Sequence, residues 1–344
     1  MELIISILFI LSFIFYILRL PLLLSYLIAG LIVSYFIHFE EYFIHFVNNL
    51  AISILLFFIG FEFSFNKIHK HINSSFLNTF ITFLLFLFIG TIFAFFISKD
   101  LKSSLIFALV IYPSSSLIVI KMLQITNRLA SIETPFIIIA LILEDLFIAI
   151  LLGLIKGSYF PILNVFLVIL AIFVNFKFKV KIRKFVSFLI NLDRELFLIS
   201  IFFAIIIADT ILKSPIGAFI LGILISDTYE NFFEKQLSMI REIIFMAFFF
   251  LFGYGLKSIL PLINFQYFFI AIFIFFIAIL LKAIYFIQIQ SFKIISRSII
   301  TLIPRGEFSI FAIYMLQNEE LKIIASIFVI LSIGGILLMV CIKG

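Results

Sequence analysis

The sequence predicts an all-α polytopic membrane protein with about thirteen transmembrane helices, and three observations carry that prediction. Hydrophobic side chains make up 65% of the chain and charged ones 12%, whereas soluble proteins sit near 45–50% and 25%. The mean hydropathy is +1.37, so there is too little polar surface to cover a water-soluble globule. The apolar residues also fall in long runs separated by short, often basic, polar stretches.

At roughly 20 residues per spanning helix, thirteen spans consume most of the 344 residues and leave only short loops. In chain order they lie near 2–18, 22–37, 44–61, 76–97, 103–121, 132–155, 161–176, 195–208, 214–226, 242–256, 264–290, 299–317 and 323–342. The stretch 195–226 reads either as one tilted helix or as two short spans around Asp209 to Pro215. Two spans preserve the larger charge asymmetry. On that reading the loops reached after odd-numbered spans hold 16 Lys and Arg, including Lys67, Lys70 and the run Lys177 to Lys184. The opposite loops, with Lys102 and Lys213 among them, hold 6, and Lys282 and Arg305 fall inside spans. Basic loops stay cytoplasmic, which predicts an external N-terminus and a cytoplasmic C-terminus in the cell inner membrane.

The expected organisation is a single transmembrane domain over 1–344, with no further domain after Gly344. No G-x-x-x-x-G-K-[ST] or G-x-G-x-x-G motif is present to hold a nucleotide, so ATP does not drive this chain directly. Cys341 is the single cysteine, and no Cys/His cluster has metal-ligand spacing. No cofactor and no nucleic acid are expected, and no enzymatic constellation of nucleophile, base and orienting group occurs.

Function is sought among charges that lipid should exclude, each costing about 2.5–3.5 kcal/mol by insertion scales. The sixth span carries two, Glu144 and Asp145, near its middle. Adjacent helix positions point about 100° apart, so both can border one cavity without facing the same neighbour. Mutual repulsion and desolvation raise proton affinity, and a carboxylate that binds H⁺ and also ligates a cation makes the two compete. The bland reading is a carboxylate pair that only ties helices together. Lys282, deep in the eleventh span, either pairs with Glu144 or Asp145 or snorkels to the interface.

Two spans are interrupted by polar, helix-breaking residues: the fifth at Tyr112-Pro113-Ser114-Ser115-Ser116 and the twelfth at Ile303-Pro304-Arg305-Gly306-Glu307-Phe308. They are seven spans apart, so they cross the membrane in opposite directions, the signature of inverted repeats. Broken helices at membrane depth must be buried in protein or line a watery cavity. Ser114, Ser115 and Ser116 offer hydroxyls there, for a cation or merely for packing. Arg305 and Glu307 are placed to neutralise the half-helix ends. His69 and His71 read as solvated, and Lys177 to Lys184 as a topological anchor that can meet anionic headgroups.

In this order the motifs resemble the monovalent cation:proton antiporter-2 family, the membrane part of Kef-type and related sodium/proton antiporters. The resemblance runs through Pro21 to Gly30, Leu55 to Glu62, Ser114 to Lys121, Glu144-Asp145, Gly217 to Gly222, Phe248 to Gly255 and Arg305 to Phe308. It implies that Asp145 is the ion-binding aspartate, Glu144 the variable residue before it, and Lys282 the lysine paired with the acidic site. It further implies elevator-like motion, a homodimer, and exchange of Na⁺ or K⁺ for protons at Asp145. Glutamate at 144, where relatives show aspartate, asparagine or glutamine, favours electrogenic exchange. The Kef branch carries a C-terminal nucleotide-binding regulatory domain that is not expected here. The alternatives are a K⁺ channel or uniporter, which moves charge without protons, and a non-transporting sensor or assembly subunit.

Overall fold

A computed structural model describes residues 2–18, 20, 22–62, 72–156, 161–192, 194–212, 216–225, 230–287 and 291–341. Lys67, His69, Lys70, His71 and Lys213 lie outside the described residues. Every regular element described is helical. The helices are α1 (Glu2–Ile17), α2 (Leu22–Ser34), α3 (Glu41–Glu62), α4 (Ile72–Ser98), α5 (Leu101–Ile111), α6 (Ser116–Ile125), α7 (Thr134–Lys156) and α8 (Pro161–Leu192). They continue with α9 (Arg194–Leu212), α10 (Ile216–Ile225), α11 (Glu230–Ile259), α12 (Phe265–Lys282), α13 (Phe292–Thr301), α14 (Glu307–Met315) and α15 (Glu319–Cys341). Short 3₁₀ turns follow α11 at Leu260–Leu262 and α12 at Ala283–Phe286.

Among the described residues, five helical stretches are long and apolar enough to cross a membrane: Glu41–Phe61, Phe76–Ser98, Thr134–Leu152, Met239–Leu262 and Phe265–Phe286. The fifth and twelfth expected spans are not continuous helices. The fifth is the pair of half-helices α5 and α6, separated by Tyr112–Ser115, and the twelfth is the end of α13 and the whole of α14, separated by Leu302–Gly306, with α13 starting seven residues before the expected span. At 1.5 Å rise per residue a ten-residue helix is roughly 15 Å long, half the hydrocarbon thickness. The stretch 195–226 is likewise two helices, α9 and α10. The seventh span extends as α8 through the basic run to Leu192, with a backbone break at Phe178 (φ −112°, ψ 15°).

The chain divides into two compact units. The first comprises Met1–Phe39, His71–Glu144 and Phe248–Gly344, and the second Glu40–Lys70 and Asp145–Ala247. In the first unit, α5 packs on α4, α14 and α15, and α12 packs on α4 and α15. Asp100 starts α5 by accepting the amides of Lys102 (3.2 Å) and Ser103 (2.8 Å). The hydrogen bond from Ser103 holds its carboxyl below the usual range. Helix α2 meets the end of α11 through Lys257, whose ammonium donates to the Ser34 carbonyl at 2.7 Å.

In the second unit, the short α10 packs against α3, α8 and α9. Both its ends need partners, because a helix leaves four N–H groups and four carbonyls unpaired. Asp209 of α9 accepts the Ala218 amide near the α10 N-terminus at 3.1 Å. Asn175 of α8 donates to the Ile223 carbonyl and, at 3.3 Å, to Leu224, near its C-terminus. Gly222 lets α10 lie directly on α3: a Cβ there would stand 2.1 Å from the Phe57 carbonyl oxygen.

Candidate functional site

The interrupted helices of the first unit meet at their breaks. Proline lacks an N–H and blocks helix continuation, so Pro113 and Pro304 leave backbone groups that the opposite break satisfies. The Ser115 amide donates to the Pro304 carbonyl at 2.8 Å, and the Ser114 hydroxyl donates to the Leu302 carbonyl at 2.8 Å. The contact is close enough to require glycine at 306, where a Cβ would come within 2.6 Å of the Ser115 side chain.

Glu144, midway along α7, points into this crossing and is fully buried. One carboxylate oxygen accepts the Ser114 amide at 2.6 Å. The other accepts both the Lys282 ammonium and the Tyr285 hydroxyl, the latter at 2.5 Å. Lys282 is 1% exposed and also donates to the Ser114 hydroxyl at 3.0 Å. Its ammonium lies 5.5, 5.2 and 5.1 Å from the ring centres of Phe86, Tyr112 and Tyr285, so three π faces supplement one carboxylate. Of the two partners open to Lys282 from sequence, it is Glu144 that forms the ion pair, and the lysine does not snorkel. Lys282 and Tyr285 reach the same oxygen because they sit three residues apart, where α12 tightens into the Ala283–Phe286 3₁₀ turn.

Asp145 is the next residue of α7 and begins the second unit. It is 6% exposed. Ser115 is buried and its hydroxyl has no hydrogen-bond partner among the described residues, whereas Ser116 opens α6 and is partly exposed. Arg305 is 2% exposed. Its guanidinium turns to the carbonyls of Leu302 (2.9 Å) and Ile303 (3.0 Å) at the end of α13, and it stacks 5.5 Å from the Phe328 ring centre. Cations suit a helix C-terminus, as carboxylates suit an N-terminus. Glu307 opens α14, is buried, and fits the second half of that rule.

A second charged cluster escaped sequence reasoning. Glu133, one residue ahead of the apolar span that starts at Thr134, accepts Arg128 at 2.9 Å and Arg297 at 2.8 Å. Arg128 also donates to Thr301 at 3.0 Å. The cluster therefore ties the turn after α6 to α13, joining one half of each interrupted helix. Burial pushes the Glu133 carboxyl up, but the hydrogen bonds from Arg297 and Arg128 outweigh it and hold the group below its ordinary value. Arg128 and Glu133 are visible as a close opposite-charge pair. Nothing local points to Arg297, which is 164 residues distant from Glu133.

Interrupted helices that cross beside a buried ion pair are the arrangement expected from the motifs. The chain belongs to the sodium/hydrogen exchanger transmembrane family, whose model matches residues 3–344, and this bears out the resemblance read from the motifs. It is 33% identical over 239 residues to the K(+)/H(+) antiporter subunit KhtU of Bacillus subtilis (strain 168). That match takes in 65% of this chain and 59% of the relative, so the chain spans less than two thirds of the relative's length. The fold is that of the sodium proton antiporter MjNhaP1 from Methanocaldococcus jannaschii, solved at pH 8: the TM-score is 0.63 at 15% identity, over 99% of this chain and 94% of that one.

Proposed function

We propose that this chain is a secondary antiporter that exchanges a monovalent cation for protons, with the two competing for Asp145. The observation that carries the assignment is the commitment of Glu144. Both its oxygens are taken up by donors from Ser114, Lys282 and Tyr285, which gives Glu144 a structural part, and the exchange is assigned to Asp145, the position that the motif resemblance matches to the ion-binding aspartate. Two carboxylates and one ammonium sum to minus one. A single cation or a single proton neutralises that charge. A neutral site crosses the low-dielectric barrier far more readily than a charged one, so the loaded site moves, the empty one does not, and the two fluxes are coupled.

In this reading Ser115 and Ser116 offer hydroxyl oxygens to the cation, while Arg305 and Glu307 neutralise the half-helix ends. Lys282 holds Glu144. The chain acts as a single transmembrane exchanger domain, not an enzyme, in the cell inner membrane with its N-terminus outside. A homodimer and elevator-like motion follow from kinship. K⁺ is the first cation to test, because the 33%-identical relative is named for K⁺; Na⁺ is the second.

The test is a pH-sensitive dye in proteoliposomes loaded with the purified chain. Addition of K⁺ or Na⁺ dissipates an imposed pH gradient for the native chain, and Asp145→Asn does not respond to either cation. Full exchange by Asp145→Asn overturns the assignment. Cation flux that carries current without proton movement replaces antiport with a channel.

A further inference from the structure

The charged cluster at Glu133 lies in the first unit, as the crossing of the interrupted helices does, and the chain delivers its arginines to fixed places. Helix α6 ends at its C-cap Thr126, and Asn127 follows at φ 54°, the left-handed conformation that asparagine accepts at a helix end. The Asn127 amide donates to the Gln124 carbonyl at 3.0 Å and the Arg128 amide to that of Leu123 at 2.8 Å, the paired bonds of a Schellman motif. The Arg128 carbonyl in turn accepts the Thr134 hydroxyl at 2.6 Å. Arg128 is thereby held between the end of α6 and the start of α7.

The two arginines hold Glu133 differently. Arg128 uses all three guanidinium nitrogens: Nε (3.1 Å) and Nη2 (2.9 Å) donate to Glu133, and Nη1 donates to the Thr301 hydroxyl at 3.0 Å. Arg297 reaches Glu133 through Nη2 alone, 2.8 and 2.9 Å from the two carboxylate oxygens. Thr301 closes α13 and precedes Leu302, whose carbonyl accepts the Ser114 hydroxyl at the crossing. Between this clasp and the crossing the seam is apolar: Leu123 of α6, Ile137 and Leu141 of α7, Tyr285 and Leu302 belong to one buried cluster. Tyr285 is also the residue whose hydroxyl donates to Glu144. Helices α6 and α13 are thus tied at both ends, by the bonds of Ser114 and Ser115 at the crossing and by Arg128 at the other. The close-packed cluster between transmits a displacement rather than absorbing it.

We propose that Glu133 is a positioning residue for the exchange: with Arg128 and Arg297 it fixes α6 and α13 against α7, and so sets the geometry of the crossing and the affinity for the cation. The proposal rests on the antiport reading. Eleven residue steps separate Glu133 from Glu144, roughly 16 Å along a helix, so the clasp acts through Leu302, Ser114 and Tyr285 and not by touching the ion.

The full chain in proteoliposomes is measured in two ways. One is amide hydrogen–deuterium exchange of the segment holding Ser114 and Ser115, whose amides bond to Glu144 and Pro304 across the crossing. The other is the K⁺ concentration that gives a half-maximal pH-dye response. Glu133→Gln speeds deuteration of that segment and raises the half-saturating K⁺ about tenfold, the usual scale of coupling between two sites. A role in stability alone lowers the maximal rate and leaves the half-saturation unchanged. Arg128→Lys behaves like Glu133→Gln, because an ammonium lacks the fork that bridges Glu133 and Thr301. Arg297→Lys keeps native values, because one nitrogen suffices there, and so does Lys293→Gln, an exposed charge one turn earlier on α13. If Glu133→Gln does not fold, Arg128→Lys, which retains every charge, carries the same test. Native deuteration in Glu133→Gln overturns the proposal, as does native behaviour of Arg128→Lys. Faster deuteration with an unchanged half-saturation makes the clasp a stabilising device and overturns it equally. A native chain that moves no protons on addition of K⁺ or Na⁺ overturns the antiport reading instead, and deuteration alone then decides whether the clasp sets the crossing.

Discussion

Glu144 and Lys282 show what a charge in a membrane core depends on. Each alone is costly, and together with Ser114 and Tyr285 they form a set in which both carboxylate oxygens have donors. Removing one member of a buried pair strands the other, at about 3–5 kcal/mol. Lys282→Met is therefore expected to lower the melting temperature of the purified protein sharply. The double variant Glu144→Gln/Lys282→Met should recover most of the loss, because no charge is left stranded. A double variant as unstable as the single one would mean that the lost methylene packing, not the charge, dominates. Tyr285→Phe removes only a hydroxyl and leaves Lys282 in place. Its cost is about 1.5–3 kcal/mol, the value of one hydrogen bond to a charged group, and the same melt measures it. Gly306→Ala belongs with these. A methyl within 2.6 Å of the Ser115 side chain forces the two breaks apart, so loss of exchange is expected along with lower stability.

At the scale of elements, the interruptions were legible and their partners were not. Pro113, Pro304 and Gly306 are visible as breakers in otherwise apolar runs, and the half-helices end where those residues stand. That Ser114 hydrogen-bonds the Leu302 carbonyl, 188 residues away, is a fact of packing that no local pattern encodes. The same holds for Glu133. In the sequence it is the second residue of the expected sixth span, and only folding brings Arg297 to it. Its carboxyl titrates below the ordinary value because Arg297 and Arg128 stabilise the charged form more than burial destabilises it. A depressed carboxylate contributes stability at pH values above its unfolded pKa and loses that contribution as pH falls through its folded pKa. Glu133→Gln should thus be less stable than the native chain at neutral pH and in mild acid. The difference should shrink as the pH drops through and below the usual carboxylate range. Thermal melts of both proteins over that range make the comparison; a gap that persists unchanged in strong acid would show that the Glu133 contribution is packing rather than charge.

At the scale of the whole molecule, composition settled the class before any contact was visible, since 65% hydrophobic residues leave no soluble option, and the ordered motifs pointed to the family. Span counting was the coarser instrument. Hydropathy sees length, so it counted the half-helices α5 and α6 as one span, began the twelfth span seven residues after the start of α13, and stopped α8 at its basic stretch, where α8 continues for a further sixteen residues, from Lys177 to Leu192. Topology rests on charge rather than on length, and it can be tested on its own. The loop reached after the fourth span carries Lys102, and the stretch after the seventh carries Lys181; both side chains are exposed. On the proposed thirteen-span topology an odd number of crossings separates them, which puts them on opposite faces with the basic stretch inside. In a Cys341→Ser background, which removes the single native thiol, Lys102→Cys should react with a membrane-impermeant maleimide in intact cells. Lys181→Cys should react only in everted vesicles. Labelling of both from one face would require an even number of crossings between them. It would also break the inverted relation between the two interrupted helices, because that relation needs the fifth and twelfth spans to run in opposite directions.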